Sequence, residues 1–99
     1  MEKVSGEPEK LGLVLVRVLK NLGMERKISE ASLVLNWEKI VGEKIAQEAK
    51  ALKIEKKKLY LQVPNASWRN ELFYLKKELI QKLNSFVKDT LIEDIIFLN

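Results

Sequence analysis

The chain contains neither cysteine nor histidine among its 99 residues. These absences exclude disulfides, thiol nucleophiles, the usual zinc sites and every catalytic arrangement that needs an imidazole base. None of the four glycines lies in a nucleotide-binding motif, and the carboxylates are scattered along the chain. We therefore predict a protein that is not an enzyme and that binds no metal ion or cofactor.

A long apolar run is also absent. The longest one, Leu11–Leu19, contains Arg17 and has about half the length of a membrane span. Acidic residues near the N-terminus, among them Glu2 and Glu7, argue against a secretory signal peptide. We expect a cytoplasmic protein in which residues 1–8 form a flexible leader and residues 9–99 form one domain.

The first helix is predicted to begin near Pro8, which suits a first helical turn, and to end at Gly23, which suits a C-cap. Leu13 and Val16 lie off its apolar stripe. The helix is therefore either buried on two sides, or it docks on a partner or on a second copy of the chain. The stripe itself consists of Leu11, Leu15, Val18 and Leu22.

The second helix is predicted from about Glu30 to Glu48, with Ser29 as its N-cap. Gly42 weakens this helix by roughly 1 kcal/mol relative to alanine, so we expect a kink or a close packing contact there. Trp37 lies on the apolar face and is interpreted as a core anchor rather than as a platform for stacking a ligand.

After Ala49 the hydrophobic period changes from 3.6 to 2, which predicts a hairpin of two strands. Leu52 and Ile54 are expected to point inward from the first strand. No glycine or asparagine stands between the strands, so we expect a loop longer than a tight turn near Lys56 and Lys57.

A long amphipathic helix is predicted after Pro64, with Asn65 or Ser67 as its N-cap. It gives the strongest periodic signal in the chain and is interpreted as the central helix of the core. Its apolar stripe consists of Trp68, Leu72, Leu75, Leu79, Leu83 and Phe86.

A third strand is predicted over Leu91–Leu98, with Ile95 and Phe97 facing the helices. A crossover over the central helix can place this strand beside the first one and antiparallel to it. The fold class is therefore α+β in the order α-α-β-β-α-β, a three-stranded sheet with helices packed on one face.

The positive charge is concentrated in one part of the chain. The whole chain carries a net charge of +4. Residues 50–82 contain nine lysines and arginines against three glutamates, a net charge of +6, while the remaining residues together are acidic. Such an asymmetry favours a polyanionic partner.

This basic region has two interpretations. It is either a phosphate-binding surface, with Tyr60 available to stack on an unpaired base, or an ordinary solvated surface rich in lysine. The candidate nucleic-acid-binding residues are Lys53, Lys56, Lys57, Lys58, Tyr60, Arg69, Tyr74, Lys76 and Lys77.

An apolar pair, Ile96 and Leu98, is expected beside Tyr60 on the open face of the sheet. It is either covered by the first helix or exposed as a site for a partner. Together with Leu13 and Val16 of the first helix, this pair forms the set of candidate partner-binding residues.

Several segments of the chain, and the order in which they follow one another, resemble the DciA family over residues 15–98. The most specific are Trp37-x-x-Ile40-Val41-Gly42 and Ser67-Trp68-x-x-Glu71-Leu72, which flank a strand hairpin. The others are Ile45-Ala46, Leu59-Tyr60-Leu61-Gln62-Val63, Asn65-Ala66, Leu83-Asn84 and Ile95-Ile96-Phe97.

The resemblance implies a KH-like domain that binds single-stranded and duplex DNA. It also implies a partner, the DnaB-type replicative helicase, whose loading on single-stranded DNA the family promotes without ATPase activity. Family members usually have glycine where this chain has Lys56 and Lys57, and many carry a long basic extension. The Gly-x-x-Gly loop of true KH domains does not occur in the chain.

Two alternatives stay open at the level of sequence. One is an RNA-binding module of the KH-like class, which would bind RNA more tightly than DNA. The other is an interaction domain without affinity for nucleic acid, which would use the first helix and the edge formed by Ile96 and Leu98.

Overall fold

The computed structural model describes residues 8–99, and their side chains from residue 13 onward. This range forms six helices and a three-stranded sheet, which confirms the α+β class. The helices are α1 (Pro8–Asn21), α2 (Glu25–Leu35), α3 (Trp37–Val41), α4 (Glu43–Glu48), α5 (Ala66–Tyr74) and α6 (Lys76–Val87). The strands are β1 (Lys50–Glu55), β2 (Lys58–Gln62) and β3 (Asp94–Leu98). The predicted leader lies outside the described residues except for Pro8, which begins α1.

Helix α1 ends as its sequence predicts. Gly23 has a φ of +74°. Its N–H donates to the carbonyl of Lys20, and the N–H of Met24 donates to the carbonyl of Leu19. This pair of hydrogen bonds satisfies carbonyls that the last turn would otherwise leave free, and it requires a left-handed residue that glycine adopts without strain.

The prediction of one helix from Glu30 to Glu48 is wrong, because the segment forms α2, α3 and α4. The capping residue of α2 is Met24 rather than Ser29. The chain breaks first at Asn36, whose side chain donates to the carbonyl of Ser32, and again at Gly42, whose φ is +97°. The interruption expected at Gly42 is thus confirmed.

Trp37 is a core anchor, as predicted, and only 6% of it is exposed. Its indole Nε1 donates to the carbonyl of Ala49 at 2.8 Å in a buried position. This hydrogen bond fixes the short helix α3 to the residue that directly precedes β1. Because a buried carbonyl without a partner is costly, the bond also explains why tryptophan rather than another large apolar residue suits this position.

The first strand does not alternate regularly. Ala51 pairs with Leu61 and Lys53 pairs with Tyr60, so Leu52 is an extra residue in a β-bulge. As a result Ala51 and Ile54 face the core, and Leu52, which was expected to point inward, is 42% exposed. A one-residue insertion changes the face of every side chain on one side of it.

The hairpin loop is shorter than expected. β1 ends at Glu55 and β2 begins at Lys58, so only Lys56 and Lys57 form the turn. Both have positive φ, +51° and +65°. This is the backbone sense of a tight primed turn, which the absence of glycine and asparagine had argued against. The turn forms because the two strands pair up to Glu55 and Lys58.

The third strand lies beside the second strand and parallel to it, with Tyr60 opposite Ile96. The prediction that it lies antiparallel beside β1 is therefore wrong. Helix α2 packs on β1 and α6 packs on β3, so these two strands lie at opposite edges of the sheet. The strand is also shorter than predicted, because it begins at Asp94 rather than at Leu91. Leu91 and Ile92 lie before it and are buried in the core.

The central helix is divided at Leu75 into α5 and α6. Asn65 caps α5 as predicted, its side chain accepting from the N–H of Trp68 at 3.0 Å. Leu75, at the break, and Phe86, in the last turn of α6, are 36% and 40% exposed. They were expected in the core, which is filled instead by residues from both layers. Its fully buried members are Leu33, Leu59, Leu61, Val63, Leu72, Leu83, Leu91, Ile92 and Ile95.

The side chain of Asn84 connects α6 to the segment before β3. Its Oδ1 accepts from the N–H groups of Leu91 and Ile92 at 3.0 and 2.8 Å. Its Nδ2 donates to the carbonyl of Ile92 at 2.9 Å. One amide therefore satisfies three backbone groups of a buried, non-helical segment, which water cannot reach.

We expect the Asn84→Ala variant to be less stable by about 3 kcal/mol, because three backbone groups lose their partner in the interior. The free energy of unfolding in urea measures this loss. Asn84→Asp keeps the acceptor and removes the donor, so an intermediate loss is expected. Asn70→Ala, at an exposed position of α5, is the matched control. An equal effect of Asn70→Ala and Asn84→Ala would contradict the role of the side chain.

Candidate nucleic-acid interface

The sheet has one covered face and one open face. Leu59, Leu61 and Ile95 point into the core, so Tyr60 and Ile96, which alternate with them, point the other way. We call this second side the outer face. It carries Lys50, Lys53, Glu55, Lys58, Tyr60, Gln62, Asp94, Ile96 and Leu98.

Tyr60 lies on the middle strand of the outer face and is partly exposed. The Nζ of Lys53, its neighbour on β1, lies 5.0 Å from the centre of the phenol ring. The cation lies over one face of the ring. Proteins that bind single-stranded nucleic acid combine aromatic rings, which stack on bases, with cations that contact phosphate. Lys53 also lies 3.3 Å from the carboxylate of Glu55.

The turn at the end of the hairpin adds two more lysines. Lys57 pairs with Glu93 at 3.4 Å, and its carbonyl accepts from the N–H of Glu93 at 2.8 Å. Lys56 is exposed and forms no ion pair with a carboxylate of residues 13–99. The two neighbours therefore differ in how much of their charge is available to a ligand.

Lys76 lies at the start of α6 and pairs with Asp94 at 3.0 Å. The hydrogen bond from Lys76 is the main reason why the pKa of Asp94 is lowered from its ordinary value of 3.8. Its burial opposes this shift, and the charge of Lys58 adds to it. Lys76 thus joins the helical layer to β3, and its charge is already balanced.

The Lys76–Asp94 pair gives stability a defined pH dependence. Because the pKa of Asp94 is lower in the folded chain, its contribution is present above 3.8 and is lost as the pH falls through the folded value. We expect Asp94→Asn to lower the free energy of unfolding by about 0.5 kcal/mol at neutral pH, a small effect because the pair is partly solvated.

Urea unfolding at pH 7 and at pH 3 checks this expectation. The difference between wild type and Asp94→Asn should shrink at the lower pH, because protonation of the aspartate in the unfolded chain already removes part of its contribution there. Glu71→Gln, which changes an exposed carboxylate on α5, serves as the control. A difference that stays constant between the two pH values would contradict the role of the ion pair.

Arg69, also predicted to contact phosphate, is directed toward the backbone. Its guanidinium donates to the carbonyls of Val63 and Pro64 at 2.7 and 3.0 Å. These two hydrogen bonds hold the connection between β2 and α5. They give this arginine a structural role, since one guanidinium nitrogen, Nη1, donates to two neighbouring carbonyls at once.

The remaining candidates lie on the helical layer. Tyr74, at the end of α5, is 77% exposed, and Lys77 is exposed in the first turn of α6. This layer packs on the face of the sheet opposite Tyr60. The nine candidate residues are therefore not one surface. The hairpin and β2 bring five of them together, and Lys76 reaches the edge of this group through its ion pair with Asp94. The other three, Arg69, Tyr74 and Lys77, lie on α5 and α6.

The candidate partner-binding residues also separate. Ile96 is partly buried and Leu98 is 40% exposed on the outer face, while α1, whose packing partner is α2, carries Leu13 and Val16. The apolar stripe expected to be buried is instead largely exposed. Its described members are Leu15, Val18 and Leu22, with exposures of 59%, 48% and 66%.

Sequence reasoning missed the acidic residues of the interface. Glu93 and Asp94 lie outside the basic stretch in sequence, but parallel pairing of β3 with β2 brings them to Lys57 and Lys58. The run Glu93-Asp94 lies inside the strand predicted over Leu91–Leu98, and its two adjacent carboxylates are the signal that could have found them. Without the strand order, no pattern in the sequence says which lysines they meet.

In the part of the chain with described side chains, no three acidic residues come close enough together to hold a metal ion. Nor does any helix within residues 8–99 have the length and apolar character needed to cross a membrane. The available chemistry is that of cations, several exposed aromatic rings and apolar surface.

Comparison with known proteins gives a family and several relatives. The family model described as "Dna[CI] antecedent, DciA" matches residues 10–97. A UPF0232 protein of Corynebacterium glutamicum is 29% identical over 87 residues, which are 88% of this chain and 49% of that protein. Similar proteins from Mycolicibacterium smegmatis and Rhodococcus jostii are 25% and 22% identical, over 84% and 90% of this chain. The chain spans about half the length of these curated relatives or slightly less.

Proposed function

The chain belongs to the DciA family, which is related to DNA replication, and on that premise we propose that it is an accessory protein of the replicative helicase. In this proposal it binds single-stranded DNA through the outer face of its sheet. It promotes loading of a DnaB-type helicase in the cytoplasm without hydrolysing ATP itself. The observation that carries the DNA-binding part is the pairing of Tyr60 with Lys53 on an open sheet face.

The composition of the outer face supports a single strand as the ligand. A base stacks on Tyr60 only when it is unpaired, and stacking on an aromatic ring is tolerant of sequence. Recognition of a particular base would need side chains that form two hydrogen bonds to one base edge, such as arginine, asparagine or glutamine. The outer face has one such side chain, Gln62, among lysines that act as point charges toward phosphate.

Binding is expected to be moderate and strongly dependent on salt. Five lysines of the hairpin, Lys50, Lys53, Lys56, Lys57 and Lys58, stand against the carboxylates of Glu55, Glu93 and Asp94. Because three acidic groups lie among five basic ones, the surface attracts phosphate without holding it irreversibly. Such a balance suits a protein that must release the strand to the helicase.

We expect Tyr60→Ala to weaken binding to a labelled oligothymidine by about tenfold, because one stacked base is lost. Tyr60→Phe keeps the ring and should bind like the wild type. Tyr74→Ala, on the helical layer, is the matched control. Fluorescence anisotropy at several salt concentrations gives the affinities and the number of phosphate contacts.

Two results would contradict this assignment: a larger loss for Tyr74→Ala than for Tyr60→Ala, or an affinity that does not change with salt. The same titration with oligouridine tests the RNA-binding alternative. Tighter binding of RNA than of DNA would favour that alternative, since the 2′-hydroxyl is what distinguishes the two strands chemically.

A second function, docking of the helicase, is favoured by the surface of α1 and α2. Apolar side chains of both helices are exposed: Leu13, Val14, Leu15, Val18, Leu22 and Leu35, with exposures from 48% to 84%. A groove of about 500 Å³ runs between the two helices, lined by residues that include Leu15, Val16 and Ile28. Exposed apolar surface of this extent is typical of a protein-docking site.

We expect Leu13→Glu and Leu22→Glu each to weaken binding of the purified replicative helicase by more than about tenfold, as charge in an apolar contact does. Both side chains are about two-thirds exposed, so the fold should be retained, which circular dichroism can check. DNA affinity should stay unchanged.

Leu98→Glu is the control for the outer face, because Leu98 is exposed there. If only Leu98→Glu loses helicase binding, the docking site lies on the sheet. If none of the three variants loses it, neither surface is the docking site.

A further inference from the structure

The turn between β1 and β2 combines basic side chains with an unfavourable backbone. Lys56 and Lys57 both have φ values in the left-handed region. Two-residue turns of this kind strongly prefer asparagine followed by glycine, which adopt these angles at little cost. This chain has lysine at both positions, although lysine disfavours positive φ values.

A strained conformation persists only where the surroundings enforce it, and it is a reason to look for a function of the side chain. The surroundings are visible here. The carbonyl of Lys57 accepts from the N–H of Glu93 at 2.8 Å, and the ammonium of Lys57 lies 3.4 Å from the carboxylate of Glu93. Lys57 thus fastens the turn to the segment that enters β3.

Lys56 differs from its neighbour. It is exposed and, within residues 13–99, has no carboxylate within ion-pair distance. It stands at the end of a turn that Lys57 and Glu93 hold in place, so less backbone freedom is lost when it meets a ligand. Lys58 and Tyr60 lie beyond it on β2, about 7 Å apart along the strand and on the same face.

We propose that Lys56 is a phosphate-binding residue held at the rigid tip of the hairpin. The ligand is the phosphodiester backbone of the single strand whose base stacks on Tyr60, so this inference rests on the proposed function. Lys57 is a positioning residue: it holds the tip and leaves Lys56 free. Lysine at both turn positions makes the positive φ values unfavourable, and we attribute this cost to the need for phosphate binding by Lys56 and positioning by Lys57.

Three variants separate the charge of Lys56 from the conformation of the turn. Lys56→Asn removes the charge and suits the left-handed backbone, whereas Lys56→Gln removes the charge and keeps the strain. Lys88→Gly is the matched control: Lys88 caps α6 with a φ of +56°, so the change also removes one charge and relieves the same strain, but outside the sheet.

Anisotropy titrations with a labelled oligothymidine and thermal unfolding of the same samples provide the two readouts. For a single strand, the logarithm of the binding constant falls with the logarithm of the salt concentration by about 0.7 per phosphate contact. If the contact contributes nothing at about 1 M salt, its loss weakens binding about eightfold at about 50 mM salt and about threefold at about 200 mM. Both Lys56 variants should show this loss. The melting temperature should be higher for Lys56→Asn than for Lys56→Gln, and Lys88→Gly should bind within about twofold of the wild type.

If the wild type binds the oligothymidine and both Lys56→Asn and Lys56→Gln bind it with the same affinity, this inference is overturned but the proposed function is not. An equal loss in Lys88→Gly would also overturn it, because net charge rather than position would then explain the effect. Absence of binding by the wild type would overturn the proposed DNA-binding function, and this inference with it.

Discussion

The three hydrogen bonds of the Asn84 side chain hold the segment on which the rest of the sheet depends. That segment places Leu91 and Ile92 in the core and then delivers the N–H of Glu93 to the carbonyl of Lys57. The helical layer, the third strand and the hairpin tip are therefore one mechanical unit. A single half-buried polar side chain does this because its two amide atoms supply partners that the backbone would otherwise lack.

Local signals in the sequence predicted local structure well. Pro8, Gly23 and Asn65 mark helix ends because capping depends only on neighbouring residues. Not every local signal was sufficient, since Met24 rather than Ser29 caps α2 and the predicted helices break at Asn36 and Leu75. The other failures involve partners that are distant in sequence. The bulge at Leu52 depends on how β1 pairs with β2, and the tight turn at Lys56 and Lys57 forms because strand pairing overcomes the preference of lysine. The position of β3 depends on which helix packs against which strand, information that periodicity does not contain.

The same limit applies to the interface. Counting charges along the chain identified the basic hairpin and Tyr60, which do lie together on the outer face. It missed Glu93 and Asp94, which the parallel strand brings to Lys57 and Lys76, and it included Arg69, whose guanidinium binds backbone carbonyls. The residues that carry the family resemblance, among them Trp37, Asn65 and Asn84, form buried or capping hydrogen bonds. These residues therefore have structural roles in this chain.

The bulge at Leu52 has a consequence for the solution behaviour of the protein. β1 is an edge strand, and a straight edge strand offers a row of free backbone groups to any other chain that can add a strand. The extra residue interrupts that row, and Lys50 and Lys53 place charge on either side of it. A sheet with one open face and an apolar α1 thus remains protected against edge-to-edge aggregation at β1.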